Sequence, residues 1–379
     1  MAIITVLFFL TLFVLAIFSY GFIDPNLVLS KNPIFVRFHT PLYHLAYQNR
    51  PVATMMFLII LLLLFFFYCM FLRYGVNFFS SKKNFIGTII VAAAILVLAY
   101  PALSYDLFNY MTTAKVAFTY HENPYIVMPI EIPNEPNLAF TRAANKLALY
   151  GPVWLAITAI PHYLGLGNIW GTIIAFKFIN ALAYFGMVYL IYRITKSLKN
   201  VLYFAFNPLV LIETLMSGHN DIFMMVFALL GLVLWNRKDT RSKVLGCISF
   251  FFSWWIKFVT ILLTPIFLFR KFTLEQMFRV TYWFFLVIFF VAAPLREELY
   301  PWYAVWLVST AAFLPMKRHT FIFEFTFVLS FALELRALPY MWMGYYEGPG
   351  PLLRFLVTAI PIGIYFLFFV VRKLTRKSS

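Results

Sequence analysis

Long apolar runs separated by short clusters of lysine and arginine recur along this chain, and they constrain its fold more than any other feature. The 379 residues are 63% hydrophobic and only 12% charged. So much apolar sequence is typical of helices that cross a bilayer, and helices satisfy their backbone hydrogen bonds internally in lipid. The sequence therefore predicts an all-α polytopic membrane protein that forms one integral membrane domain over residues 1–379.

The basic clusters predict the orientation of the runs, because lysine and arginine are retained on the cytoplasmic side. With these clusters inside, about ten apolar runs cross the membrane in alternating directions, and both termini are cytoplasmic. Residues 101–150 then form an outer loop, with helices predicted over 104–120 and 135–149, the second lying in the plane of the interface. The predicted spans are residues 3–20, 53–72, 84–100, 169–192, 201–217, 222–235, 280–294, 302–315, 319–335 and 351–371.

Two segments do not fit as full crossings. Residues 152–166 are too short to cross, and residues 244–269 lie between two clusters that are both predicted to be cytoplasmic. We interpret both as short helical hairpins, the second with Lys257 near its tip. Irregular backbone at membrane depth is tolerated only where protein or a water-filled cavity covers it. The two hairpins therefore indicate a polar cavity that opens to the outer side.

The net charge of +16 is spread over the short basic clusters. That distribution is typical of orientation signals and of contacts with anionic headgroups of the lipid bilayer, and no domain is present that would bind nucleic acid. The two cysteines show no metal-binding or disulfide spacing, so no metal site is predicted. Sequence motifs for nucleotide binding are absent, which argues against cytosolic nucleotide chemistry.

A carboxylate stands at the outer end of an apolar run, at Asp106 within Ser104-Tyr105-Asp106-Leu107-Phe108-Asn109-Tyr110. At that boundary it could accept a proton from a sugar hydroxyl while a lipid-linked donor loses its phosphate. A structural alternative is that Ser104 caps a helix and Asp106 favours the helix dipole. The cap does not account for Tyr105 and Asn109 beside it, so we treat all three as candidates.

A second polar group follows the run that ends at residue 217, where the sequence reads Ser-Gly-His-Asn-Asp over residues 217–221. Its candidate residues are His219, Asn220 and Asp221. Glu213 lies one helical turn before residue 217, which makes a polar column entering the membrane. The alternatives are that the glycine ends one helix while the Asn or Asp caps the next, and that Glu213 bonds a neighbouring helix.

Two basic residues are further candidates. Lys257 lies near the tip of the second hairpin, where a snorkelling lysine is the alternative. Arg296 could bind a lipid phosphate at the outer interface or pair with one of the two glutamates that follow it. Nearby, Trp302 and Trp306 are typical of interfacial anchors, as is Tyr303.

In their order and spacing, these motifs resemble those of the GT-C glycosyltransferases, integral membrane enzymes that use polyprenyl-phosphate sugars. The nearest resemblance is to the mannosyltransferases of mycobacterial mannan synthesis and of GPI-anchor assembly. The family often has Tyr-Pro-Pro where this chain has Tyr150-Gly151-Pro152, and Lys257 and Tyr300-Pro301-Trp302-Tyr303 match more loosely. The matching pieces are Tyr105-Asp106, Glu122-Asn123-Pro124-Tyr125, Tyr150-Gly151-Pro152, and Gly218-His219-Asn220-Asp221 with Asn207-Pro208 upstream.

The resemblance implies a GT-C bundle in the plasma membrane and an inverting transfer of a hexose, expected to be mannose, to a lipid or glycan acceptor on the outer face. Asp106 would be the general base. Lys257 and Arg296, with His219, would stabilise the leaving lipid phosphate. No cofactor is required, although a divalent metal is compatible. The other substrate-binding candidates are Glu213 and Asp221, which would bond sugar hydroxyls, with Tyr105, Asn109, Asn220 and Tyr303.

Two other classes of protein fit the same composition. A transporter or lipid flippase would also have broken helices and charges at membrane depth. Against it, the sequence shows no inverted repeat, and the charged candidates gather at one face. A noncatalytic membrane subunit is the other alternative, and it would tolerate loss of Asp106.

Overall fold

The fold is described here from a computed structural model that covers residues 2–79, 82–268, 272–296 and 298–375. These residues form helices and turns, and no strand occurs among them. Short 3-10 or π turns join several of the helices. The helices are α1 (Ala2–Ser19), α2 (Pro33–Tyr43), α3 (Arg50–Phe78), α4 (Lys82–Val97), α5 (Asp106–Phe118), α6 (Pro152–Leu164), α7 (Ile169–Thr195), α8 (Leu198–Ala205), α9 (Pro208–Val210), α10 (Asp221–Trp235), α11 (Thr240–Ile256), α12 (Thr264–Leu268), α13 (Leu274–Val287), α14 (Ala293–Arg296), α15 (Ala304–Ala311), α16 (Thr320–Glu334), α17 (Ala337–Met343) and α18 (Gly350–Thr375).

Several helices are long and apolar enough to cross a membrane, as the apolar runs predict. Among the described residues there are 5 such segments, or up to 6 if one sharply bent pair of helices is a single span. The other predicted spans fall on shorter helices. The chain is therefore an all-helical protein with the helices of an integral membrane protein. The five segments are Ile3–Phe22, Arg50–Val76, Ile169–Thr195, Leu274–Leu295 and Gly350–Thr375.

The bent pair consists of Pro208–Met216 and Asp221–Trp235, which meet at 113°. Proline has no N–H and begins a helix readily, and the Asn207 side chain caps it by accepting from the Leu209 N–H at 3.0 Å. The predicted span 201–217 is therefore broken at this point. At the far end, Gly218 has a φ of +79°, and a Cβ there would lie 2.7 Å from the Leu107 side chain. Only glycine fits that corner without strain.

The segment 244–269 reverses direction near Lys257, as predicted. The helix α11 ends at Ile256, and Lys257 itself is extended, with φ −142° and ψ 119°. A 3-10 turn over Phe258–Leu263 follows. The ring of Phe267 packs back on that of Phe250, with centroids 4.2 Å apart. The returning segment therefore lies against α11, and Lys257 is at the tip.

The prediction of a hairpin within residues 152–166 is wrong. Pro152 begins a single helix, α6, that continues without a break to Leu164. The backbone turns only afterwards, at Leu166 and Gly167, which both have positive φ. The hairpin is the pair α6–α7, and Gly165 permits its close packing because a Cβ there would lie 2.1 Å from the Thr172 hydroxyl.

The outer loop contains one of its two predicted helices. The first is present as α5, but the second, over 135–149, is wrong, since only a 3-10 turn forms at Pro136–Phe140. The backbone of the remainder bonds other segments of the loop. The Ala144 carbonyl, for example, accepts from the Ile130 N–H at 2.9 Å. These bonds replace the i to i−4 bonds that an interfacial helix would need.

Two further features were not predicted. The helix α2 lies between the first two spans, and its signals were present in Pro33 and in the cap Asn32, whose side chain accepts from the Ile34 N–H at 2.9 Å. In α7, the Lys177 side chain is fully buried. Its ammonium donates to the carbonyl of Leu96 at 2.7 Å and to that of Ala99, at the end of α4.

Candidate active site

Asp106 is the first residue of α5, and its carboxylate is 20% exposed. Its N–H donates to the Ser104 hydroxyl at 3.2 Å, but Tyr105 occupies the N-cap position and no side chain caps the helix there, so the prediction that Ser104 caps it is wrong. The carboxylate accepts from the Tyr150 hydroxyl at 2.9 Å and from the Asn109 amide at 3.4 Å. Asp106 does lie in the first turn of α5, where the helix dipole favours a carboxylate, and it remains partly exposed.

The corner at 217–220 brings His219 to Asp106. The Nδ1 of His219 lies 3.5 Å from the Asp106 carboxylate, and its Nε2 lies 3.1 Å from that of Glu213. Both contacts are within ion-pair distance, but neither ring nitrogen makes a hydrogen bond of acceptable geometry in the described part of the chain. The Trp302 ring stacks on the imidazole, with centroids 4.2 Å apart. The histidine is therefore held between two carboxylates and an aromatic face.

The surroundings of Asp106 favour its ionised form. Burial alone would raise the pKa of the Asp106 carboxyl, but His219, Lys257 and the Tyr150 hydroxyl together bring it below its ordinary value. Burial, and then the charge of Asp106, raise the pKa of Tyr150 well above the ordinary value. Tyr150 therefore stays a hydroxyl donor, and Asp106 stays a carboxylate that can accept a proton near neutral pH.

A second ion pair adjoins the first group. The carboxylate of Asp221, at the start of α10, is completely buried, and the Lys257 Nζ lies 2.8 Å from both of its oxygens. The Trp306 indole N–H donates to the same carboxylate at 2.5 Å. The Lys257 ammonium also lies over the rings of Tyr150 and Tyr303, at 5.8 and 5.2 Å from their centroids. Tyr150 therefore contacts both Asp106 and Lys257.

Gly218 does follow the end of one helix with a positive φ, as the structural alternative predicts, but the side chain of Asn220 does not cap α10, so that part of the alternative is wrong. Asn220 is fully buried, and neither atom of its amide has a hydrogen-bond partner among the described residues. Leaving a buried polar group unbonded costs about 1–3 kcal/mol. The corner at 217–220 is stabilised by α7, because the Asn180 amide donates to the Gly218 carbonyl at 2.7 Å. The Asn220 amide therefore keeps unused hydrogen-bonding capacity inside the bundle.

Tyr105 belongs to a different group from Asp106. Its hydroxyl donates to the buried carboxylate of Asp24 at 3.1 Å. Arg142 lies over its ring at 4.5 Å and pairs with Asp24 at 3.0 Å. Tyr105 therefore fastens the outer loop and does not face the Asp106 carboxylate. The side chain of Arg296, another candidate, lies outside the described part of the chain.

Sequence reasoning missed Tyr150, Trp302 and Trp306 as members of this site. Trp306 was interpreted as an interfacial anchor, but it is 3% exposed and bonds Asp221. A buried tryptophan usually finds an acceptor for its N–H, and Asp221 was the acidic candidate at that depth. The signal for Tyr150 was its place in the Tyr-Gly-Pro motif.

Gly151 departs from Tyr-Pro-Pro for a reason that the structure shows. A Cβ on Gly151 would lie 2.2 Å from the carbonyl oxygen of Trp255, and the Gly151 N–H donates to the Ile256 carbonyl at 3.2 Å. A proline at this position would clash with that carbonyl oxygen, and it would lack the N–H that makes this hydrogen bond. The glycine therefore brings the end of the outer loop against the hairpin tip that carries Lys257.

Comparison with known proteins gives one match. Residues 10–272 match the family described as alpha-(1->6)-mannopyranosyltransferase, N-terminal domain. The matched stretch contains Asp106, Tyr150, His219 and Lys257, whereas Trp306 lies beyond it. No curated protein and no solved structure matches the chain. Among the described residues, no three or more His, Cys, Asp and Glu side chains are grouped as metal ligands.

Proposed function

The chain belongs to the alpha-(1->6)-mannopyranosyltransferase family, and on that premise we propose that it transfers mannose from a polyprenyl-phosphate donor to a lipid or glycan acceptor. Family membership makes the chain a glycosyltransferase. A transporter or flippase is not favoured for the same reason. The apolar helices are consistent with a donor whose lipid tail stays in the bilayer while its sugar enters a protein cavity.

The observation that carries the proposed mechanism is the partly exposed Asp106 carboxylate, held between Tyr150 and His219. In the proposed reaction this carboxylate takes the proton of an acceptor hydroxyl as the hydroxyl oxygen attacks the anomeric carbon. The bond from that carbon to the phosphate oxygen breaks, and the polyprenyl phosphate leaves. Displacement inverts the configuration, so an alpha linkage would come from a beta-linked donor.

Other residues have proposed roles in binding. The unbonded amide of Asn220 and the Glu213 carboxylate would hold sugar hydroxyls, and Asp221 would act mainly by fixing Lys257. Lys257 would place a positive charge beside the leaving phosphate. Because both oxygens of Asp221 already face that ammonium, its charge is largely balanced. A lipid phosphate leaves without strong assistance, so the proposed step requires no cofactor and is compatible with a divalent metal.

The arrangement in the membrane is also a proposal. The two limbs of the bent pair and the shorter helices α4, α15 and α16 would bring the five long segments to about ten crossings, with the hairpin of α11 and α12 as a partial one. The basic clusters would keep both termini in the cytoplasm, and Asp106 would then lie at the outer face of the cell membrane. The sharp corner at 217–220 and the hairpin tip would then line a cavity open to that face.

The test is sugar transfer by the purified protein in detergent, from radiolabelled polyprenyl-phosphate-mannose to a membrane lipid extract. Asp106→Asn should lower product formation by about a hundredfold or more, because the amide cannot accept the proton. Asp239→Asn is the matched control, since Asp239 caps α11 and asparagine caps equally well. Substantial transfer by a folded Asp106→Asn protein would exclude Asp106 as the general base.

A further inference from the structure

Two arginines share a single glutamate near the start of α18. Arg336 and Arg354 both pair with the same oxygen of Glu298, Arg354 at 2.7 Å. Arg336 also donates to the Thr358 hydroxyl at 3.1 Å. The Arg354 guanidinium lies over the ring of Tyr346, at 5.1 Å from its centroid. The two guanidinium groups are therefore fixed side by side, which is costly without an anion between them.

The single carboxylate does not satisfy this pair. Among the described residues the group has two positive charges and one negative charge. The Nε atoms of Arg336 and Arg354 are buried and have no hydrogen-bond partner in the described part of the chain. A guanidinium offers five N–H groups in a planar fork that suits the oxygens of phosphate. A phosphodiester in place of the Glu298 carboxylate would keep the single negative charge but offer more oxygens to these N–H groups, and a phosphate monoester would also balance the second positive charge.

The position of the pair favours a phosphate that is carried by a lipid. Arg354 lies in the first turns of α18, which is the least buried of the five candidate membrane helices, with 11% of its apolar window buried. Beyond Arg354 this helix exposes large apolar side chains along its length. They include Phe355, Ile360, Ile364 and Leu367, which are 54 to 68% exposed. A lipid tail could lie along this surface while its phosphate reached the arginines.

Glu298 also connects the pair to the candidate active site. It is separated by only three residues from Trp302, which stacks on His219, and Tyr303 follows beneath Lys257. We propose that Arg336 and Arg354 form a binding site for a lipid phosphate. The Glu298 carboxylate binds the two arginines when the lipid is absent, and the phosphate displaces it. The phosphate could come from the polyprenyl donor or from a membrane phospholipid. The identification of the bound phosphate as that of the polyprenyl donor rests on the proposed function, whereas the binding of a lipid phosphate to the two arginines does not.

The experiment measures binding to the purified full chain in detergent by isothermal titration, without turnover. The ligands are farnesyl phosphate, a short-chain phosphatidylglycerol, farnesol and inorganic phosphate. Arg336→Gln and Arg354→Gln should each weaken binding of a lipid phosphate about tenfold, which corresponds to the loss of one charge-assisted contact. Arg318→Gln is the matched control, because Arg318 pairs with Glu275 and its side chain is 74% exposed.

Glu298→Gln distinguishes a binding site from a structural ion pair, because the two predict different changes in lipid-phosphate affinity. Removal of the competing carboxylate should tighten lipid-phosphate binding several-fold, whereas a merely structural pair would gain nothing. Arginine-dependent binding of farnesyl phosphate supports the donor as the source, and arginine-dependent binding of phosphatidylglycerol alone supports a membrane phospholipid. Unchanged lipid affinity in all three variants, or equal affinity for inorganic phosphate, would overturn the proposal. None of these results depends on sugar transfer.

Discussion

The ammonium of Lys257 lies 2.8 Å from both carboxylate oxygens of Asp221, which joins a hairpin tip to the start of α10. The Asp221 side chain is completely buried and that of Lys257 is 15% exposed. This ion pair fixes the position of the hairpin tip after α11 relative to the start of α10, beside the candidate active site. Its loss should therefore affect folding and transfer together.

Asp221→Asn should lower the free energy of unfolding by about 3 kcal/mol, because it leaves a largely buried ammonium without its carboxylate. Thermal unfolding of the purified protein in detergent measures this change. The double variant Asp221→Asn with Lys257→Gln should regain much of the lost stability, since no charge is then buried alone. Wild-type stability of the single variant would show that the pair contributes little.

His219→Asn should shift the pH dependence of transfer. In the folded protein His219 helps to hold the pKa of Asp106 below its ordinary value, so the carboxylate is retained in acidic solution. Without the imidazole that pKa rises. The acid limb of kcat/KM should then move to higher pH, because the proton acceptor is lost earlier as the pH falls. A pH profile of initial rates measures the shift.

Tyr105→Phe serves as the control for that pH profile, because the Tyr105 hydroxyl donates to Asp24. In the described part of the chain, the side-chain hydrogen bonds to the Asp106 carboxylate come from Asn109 and Tyr150 and not from Tyr105. Its acid limb should coincide with that of the wild type. An unmoved limb in His219→Asn would mean that Asp106 is held ionised by other groups, or that it does not accept the proton.

Gly151→Ala should reduce transfer severely while the chain still folds. The added Cβ would lie 2.2 Å from the Trp255 carbonyl oxygen, so the loop end and the hairpin tip must separate. That movement displaces Tyr150 and Lys257 together. We expect kcat to fall by about tenfold or more, as is usual when reacting groups are misplaced by a fraction of an ångström.

Gly186→Ala is the matched control for this substitution, since a Cβ at Gly186 meets nothing within 4 Å. Alanine also favours the helix interior, so stability should be equal or slightly higher. Equal activity of the two alanine variants would show that close packing at Gly151 does not position the site.

Arg142→Gln should destabilise the outer loop without changing the chemistry. The buried carboxylate of Asp24 would lose its positive partner, and of the side-chain donors in the described part of the chain it would retain only the Tyr105 hydroxyl. We expect a loss of about 2 kcal/mol in the free energy of unfolding. Limited proteolysis of the loop and a thermal melt measure it, and the acid limb of the pH profile should stay where it is. A shifted limb would instead place Arg142 in the active site.

The helical class and most helix positions follow from the apolar runs, because lipid permits few alternatives for the backbone. The position of Lys257 at a hairpin tip also follows, since basic clusters flank that segment on both sides. The prediction of a loop helix over 135–149 is wrong because contacts between distant residues determine the backbone there. Its backbone bonds other loop segments, such as Ile130, and no local pattern reveals those partners.

The candidate site divides in the same way. Asp106 and His219 stand out in the sequence because polar residues at the ends of apolar runs are few. Their contact, and the pairing of Lys257 with Asp221, depend on how helices pack across the bundle. Trp306 was misinterpreted because tryptophan is common at membrane interfaces, and its burial beside Asp221 is set by tertiary structure alone.

The buried Lys177 has a consequence for biogenesis. Its ammonium donates to the carbonyls of Leu96 and Ala99, at the end of α4. A lysine within an inserting helix costs up to about 3 kcal/mol on translocon scales, and Lys177 lies in the first third of α7. A glycosylation-mapping assay of α7 with and without α4, and with Lys177→Met, would measure that cost. Since α4 is synthesised before α7, the acceptor carbonyls are already present when Lys177 emerges from the ribosome. The order of synthesis thus supplies a partner for a residue that would otherwise hinder its own helix from entering the bilayer.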